Sequence, residues 1–220
     1  MLKLIVIATI AMSPFLCSAT QWRTWHKSDD LNIAYKPHES GINYVKVNAF
    51  YKHVTVDSLL NVMNDTKAAP QWLSSVSFVE VLERPNLAQA IVYTYIDSPW
   101  PVSNRDMLTH SCLSQISDHG YRLDIVSIED GEPRSKAIRV EPVRGYWLLS
   151  ETEQGLNIEH QIYADPNGAL PNWLINKTAR ENIRNSFIAL KEIISDEKYQ
   201  FSPSAFVAGN CEEFSQLEGK

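Results

Sequence analysis

Glycine and cysteine are scarce in this chain: eight and three among 220 residues. No Gly-x-Gly-x-x-Gly turn, P-loop or Gly-x-Ser-x-Gly elbow occurs, so the phosphate cradles and the strained serine nucleophile that those motifs build have no local support. No Cys-x-x-Cys or His-x-x-x-His pair occurs either. The six histidines (His26, His38, His53, His110, His119 and His160) are scattered, which leaves a metal site without ligand spacing. Positive charge is also short, with 20 Lys and Arg against 26 Asp and Glu, a net −6. With no long basic run, nucleic acid is excluded as an expected partner. What remains is 44% hydrophobic and 21% charged, the balance of a soluble globular chain. Six Trp, nine Tyr and seven Phe suit either a large core or a lined pocket.

The N-terminus reads as a targeting segment. Met1-Leu2-Lys3 gives a positive start, and Leu4 to Leu16 is apolar apart from Thr9, Ser13 and Pro14. Cys17-Ser18-Ala19 offers small residues for a signal peptidase, and the apolar run is short for a membrane span. The expectation is a signal peptide over residues 1–19 and an exported chain, periplasmic or secreted. Leu16 precedes Cys17 where lipoprotein processing wants a small side chain. Cys112 and Cys211 then remain, and they are either paired or a buried strand cysteine and an unrelated one in the tail.

Residues 20–40 lack clean periodicity. Tyr44 to Tyr51 alternates like a strand. Val56 to Met63 shifts to helical spacing with Asp57 as its expected N-cap, and Ala68 to Leu73 reads as a short turn or helix. From Ser75 the chain reads as a β-meander: Val76–Leu82, Ala88–Ile96, Asp106–Ile116, Tyr121–Ile128, Ala137–Val143, Tyr146–Glu153 and Leu156–Tyr163. Asp118-His119-Gly120, Asp130-Gly131 and Gln154-Gly155 mark turns. No crossover helix separates these strands, so an antiparallel sheet is expected. In the second strand Ile91, Tyr93 and Tyr95 share a face.

Asp165-Pro166-Asn167-Gly168 is a turn, and after Pro171 comes the clearest element, a long amphipathic helix. Ile175, Ala179, Ile183, Phe187, Leu190 and Ile194 recur every three or four residues as one apolar stripe. Lys177 and Glu181 pair at i,i+4 on the solvent side. After Ser195 the tail, 196–220, is polar and weakly patterned, and loose order is expected there. No linker or repeat divides residues 20–195, which read as one domain.

Two features carry polar chemistry. His160 alternates with Ile158 and Ile162 and is expected to face inward, as a hydrogen-bonded core histidine or as a ligand contact. Ser98 to Asp106 is a stiff loop, with Pro99 and Pro101 around Trp100, and it ends on adjacent Arg105 and Asp106. Strand neighbours point to opposite faces, so these two charges cannot both enter one cavity. A loop-fixing salt bridge and a ligand contact both stay open.

Taken in order, Asp65 and Trp72, Trp100-Pro101-Val102 with Arg105-Asp106, Arg139-Val140, and Asp165 to Pro171 before the last helix resemble a START domain, the steroidogenic-acute-regulatory-protein-related lipid-transfer module. The resemblance runs from about Trp22 to Ser195. It implies an α+β helix-grip fold, a curved antiparallel sheet around the C-terminal helix with an apolar cavity between. It implies a bound lipid or other hydrophobic molecule, transient membrane contact, a monomer and no cofactor. Tyr93, Trp100, Arg105, Trp147, His160, Trp173, Ile175, Ala179, Ile183 and Phe187 are the residues expected at the ligand or its gate. The sequence departs from sterol-binding members at Ser111, where they carry a second arginine. Two rival functions are a cyclase- or aromatase-like enzyme of the same superfamily and an envelope interaction protein with a collapsed core.

Overall fold

The computed structural model describes residues 21–128, 136–212 and 214. The expected signal peptide and the Asp130-Gly131 turn lie outside the described residues. Three strands come first: β1 (Arg23–Lys27), β2 (Leu31–Pro37) and β3 (Asn43–Lys52). Helices α1 (Val56–Asn64) and α2 (Ala69–Trp72) follow. Seven more strands come next: β4 (Val76–Glu83), β5 (Gln89–Ile96), β6 (Arg105–Ser117), β7 (Gly120–Ser127), β8 (Ile138–Arg139), β9 (Val143–Thr152) and β10 (Gly155–Ala164). Helices α3 (Asn172–Ile193) and α4 (Glu197–Gln200) come last in the element order, and residues 201–212 and 214 follow them.

The strands form one sheet in the order β1-β2-β3-β10-β9-β7-β6-β5-β4, with every neighbouring pair antiparallel. The short β8 lies off this path and runs parallel to the start of β6. Residues 20–40, for which no element was expected, supply β1 and β2. Their pairing slips between Thr24 and His26, and β1 is an edge strand with mostly exposed side chains, so hydrophobic alternation is lost there. The strand expected over Ala137–Val143 shrinks to two residues. Pro142 has no N–H to give a ladder, and Glu141 instead donates its N–H to the carbonyl of Asp165.

Thr55, not Asp57, caps α1: the Ser58 N–H donates to Thr55 Oγ1 at 3.1 Å, and Asp57 sits in the first turn. Asp65 closes the helix and then reaches the tail, accepting from Tyr199 Oη at 2.8 Å and Lys198 Nζ at 3.3 Å.

Among its described residues, up to 214, the tail is anchored at single side chains rather than loose. Tyr199 is 4% and Phe214 2% exposed, and a disulfide joins Cys211 to Cys112 with Cα atoms 5.9 Å apart. Phe214 meets the His110 ring at 4.6 Å. Gly209 passes so close that a Cβ there would lie 2.9 Å from Ala88 Cβ, and its N–H reaches the Leu113 carbonyl at 2.9 Å. The anchoring side chains Tyr199, Cys211 and Phe214 are too widely spaced to show a period. Each fits one hole on the outer face of the sheet or beside α1.

Candidate functional site

Register sorts the sheet's inner face into rows, because directly opposed residues share a face. One row is Leu113–Leu123–Trp147–His160–Val47–Ile33, and every member is buried. The adjacent row is Ala90–Ser111–Ile125–Gly145–Ile162–Val45–Tyr35. In it Ser111, Ile125, Gly145 and Ile162 keep part of their surface.

Helix α3 lies over these rows and shows the same change along its length. Phe187, Leu190 and Ile194 are 3%, 0% and 0% exposed, whereas Ile175, Ala179 and Ile183 on the same stripe are only partly buried. The helix is not lifted off the sheet at that end, because both flanks are pinned. Asn172 donates to the Ser40 carbonyl, and Asn176 donates to the Gly41 carbonyl and accepts from the Asn43 N–H, all at 2.8–3.1 Å. On the other flank Ser186 Oγ accepts from the Ser74 N–H at 2.9 Å, and Asn182 accepts from Ser74 Oγ at 3.3 Å. Inward side chains that keep part of their surface on a pinned helix imply a space between helix and sheet, although Ile125, Ile162 and Ile183 also pack against the core. The wall of this space includes Val92, Ser111, Ile125, Ile162, Ala179 and Ile183.

The expected site residues divide. Trp147, His160 and Phe187 come together at the floor of this space as a stack. Ring centroids are 4.2 Å apart for Trp147–His160 and 5.4 Å for Trp147–Phe187. Ile175, Ala179 and Ile183 roof it. His160 Nδ1 is 3.0 Å from the Tyr146 carbonyl, which can only accept, so Nδ1 carries the proton and Nε2 is a bare acceptor. Burial pushes the His160 pKa down to about 4, against a smaller upward pull from that carbonyl.

Tyr93 is not in this space. Its register partner is Leu108, on the outer face, and it packs against Phe78 at 6.3 Å. An aromatic run such as Tyr93-Thr94-Tyr95 does not say which of a sheet's faces is inner. Arg105 is buried but does not line the space. Its guanidinium donates to the carbonyls of Ser103, Pro166 (3.2 Å) and Asn167 (3.1 Å), and burial lowers its pKa. It clamps the loop of residues 97–104 to the 165–168 turn, where Gly168 at φ +80° leaves the guanidinium room. Asp106 turns the other way and forms a buried bidentate pair with Arg139, at 2.7 Å and 3.3 Å. Trp100 and Trp173 are 93% and 69% exposed, on the clamped loop and in the first turn of α3. Asn172, Asn176 and Asn182 were missed as pins. Their only signal is position flanking the apolar stripe, with Asn172 and Asn176 at i,i+4 spacing.

A separate outer cleft of about 530 Å³ lies between the β1–β2 end and α3, with Tyr51 and Phe187 on its floor and the Asp30–Lys191 ion pair on its rim. No helix among the described residues is long and apolar enough to cross a membrane.

Residues 13–187 match the family described as START domain. This chain is a START domain protein. It is 28% identical over 165 residues to an uncharacterized protein of Pseudomonas aeruginosa, covering 72% of this chain and 79% of that one. It is 24% identical to bovine phosphatidylcholine transfer protein, over 67% of this chain and 71% of the other. The crystal structure of a STAR-related lipid transfer protein fragment from Xanthomonas axonopodis superposes with a TM-score of 0.71 at 24% identity, over 79% of this chain and 98% of that one. The START fold is thus the helix-grip arrangement described above, with the sheet's concave rows under α3.

Proposed function

We propose that this protein binds a lipid in the space under the N-terminal half of α3 and carries it between membranes. The observation that carries the reading is the unequal burial along one helix stripe, sealed at Phe187, Leu190 and Ile194 and open at Ile175, Ala179 and Ile183. Covering an apolar wall with a lipid chain is favourable by roughly 25 cal/mol per Å². Membership of the START family and the lipid transfer named for its relatives agree with this reading. Entry requires α3 or the loop of residues 97–104 to move, a gating motion. The exposed Trp100 and Trp173 suit brief contact with a membrane surface at that end, since indole rings favour the headgroup region.

The protein works as a single chain outside the cytoplasm. Two things support export: the signal-like start, and a Cys112–Cys211 disulfide of the kind that persists in oxidising compartments. Binding without turnover is favoured over catalysis because the inner wall offers one neutral histidine and a few hydroxyls, and no acid–base pair among the described residues. Native mass spectrometry of protein from its own host, together with extraction from liposomes, tests the reading. A bound hydrophobe is expected, and its absence from both would refute lipid binding. Turnover of a small substrate that is lost on changing His160 would favour the enzyme instead.

A further inference from the structure

The row Ala90–Ser111–Ile125–Gly145–Ile162–Val45–Tyr35, the Val92–Thr109–Ser127 row beside it and the α3 stripe contain no charged side chain. Of the charges nearby, three are held by other groups, and Arg180 lies at the Tyr35 end of the wall with its Nε unpartnered among the described residues. Arg105 is spent on three carbonyls, and Asp106 and Arg139 pair with each other on the outer face. Arg180, on the α3 flank, lies against the ring faces of Trp25 and Tyr35, at 5.7 Å and 4.9 Å.

Among the polar side chains of the wall, His160 supplies a bare acceptor. His160 Nε2 is the ring's distal nitrogen, it carries no proton, and it has no partner among the described residues. Ser111 Oγ already donates to the Ala90 carbonyl at 3.3 Å, and Thr109 Oγ1 to the Val92 carbonyl at 3.5 Å. Ser127 Oγ accepts from the Val143 N–H at 3.0 Å and keeps its own hydrogen to donate. A ligand group that reaches His160 is therefore asked for a hydrogen, and the side chains around that nitrogen, Trp147 and Phe187, bring no charge to neutralise one of its own.

We infer that the ligand is an uncharged lipid bearing a hydroxyl group, whose O–H donates to His160 Nε2 at the floor of the space. This deepens the lipid-binding reading and rests on it. Phosphatidylcholine fits the wall poorly. It has a phosphate and a quaternary ammonium to bury and no O–H or N–H to give. Sterols and diacylglycerols share the required chemistry, and the shape of the apolar body decides between them.

The test uses the delipidated chain and vesicles of dioleoylphosphatidylcholine. The vesicles are doped with equal small fractions of dioleoylglycerol, cholesterol, the O-methyl ether of each, and oleic acid. Lipid recovered with the protein is quantified by mass spectrometry. At least one alcohol should be retained about tenfold over its own methyl ether, the worth of one buried hydrogen bond. His160→Leu should bring that ratio near one while both forms still bind. His160→Gln, which keeps an acceptor, should preserve the preference. A ratio near one in the unaltered protein, preferential recovery of phosphatidylcholine or oleate, or a preference that survives His160→Leu would each overturn the inference while leaving lipid binding intact. Recovery of no lipid at all would overturn both.

Discussion

The two halves of α3 use the same kind of residues to opposite ends. Towards its C-terminus Phe187, Leu190 and Ile194 press on rows that hold Trp147, Val47 and Ile158, and nothing there retains surface beyond a few per cent. Towards its N-terminus Ile175, Ala179 and Ile183 stand over Ile125, Gly145 and Ile162, and all of these keep surface. Hydrophobic side chains on an amphipathic stripe therefore do not by themselves make a core. The difference lies in what stands opposite: large rings and branched chains at one end, and Ala, Gly and Ser interspersed with isoleucine at the other. The asparagine pins tie the helix to residues 40–43 on one flank and to Ser74 on the other.

This comparison can be broken by mutation. Leu190→Ala removes a side chain from the sealed half and should cost about 4 kcal/mol of unfolding free energy in urea titrations. A cost under about 1 kcal/mol would mean that half is loose as well. Cys211→Ser frees the tail from β6 and opens a loop of 99 residues in sequence, with an expected loss of about 3 kcal/mol. If the tail contributes nothing, unfolding will be unchanged by the mutation.

Acid should weaken the floor. His160 has a folded pKa of about 4 against an ordinary 6.5, so the unfolded chain takes up the proton first as pH falls. Its contribution is complete above pH 6.5, declines between about pH 6.5 and 4, and is flat below. The loss totals roughly 3 kcal/mol. His160→Gln should remove that part of the pH dependence, as read by denaturant midpoints across the range. The smallest effect belongs to the open half. Ile175→Ala and Ile183→Ala should each cost under about 1 kcal/mol, because side chains that already keep surface lose little packing.

Much of the fold was legible before any coordinates. The strands from Val76 onward and the last helix announce themselves by period, and the turn at Asp165 to Gly168 by its residues. What periodicity could not reach was of two kinds. Edge strands such as β1 bury too little to alternate, and the tail is held by single residues far apart. The site was legible in part. The stripe on α3 and the inward His160 follow from spacing. Which face Tyr93 takes is set by sheet register, and that Arg105 serves the carbonyls of Pro166 and Asn167, 61 and 62 positions on, while Asp106 meets Arg139, 33 positions on, depends on contacts that no local pattern records.

The central claim, that the N-terminal half of α3 covers a space meant for a lipid, is tested most directly by filling it. Ala179→Phe should leave the melting temperature unchanged or slightly raised and cut the lipid recovered from vesicles by more than tenfold. In a closed core the added ring would cost about 1–3 kcal/mol instead. A destabilised Ala179→Phe protein, or a stable one that still extracts lipid as well as the parent, would contradict the account.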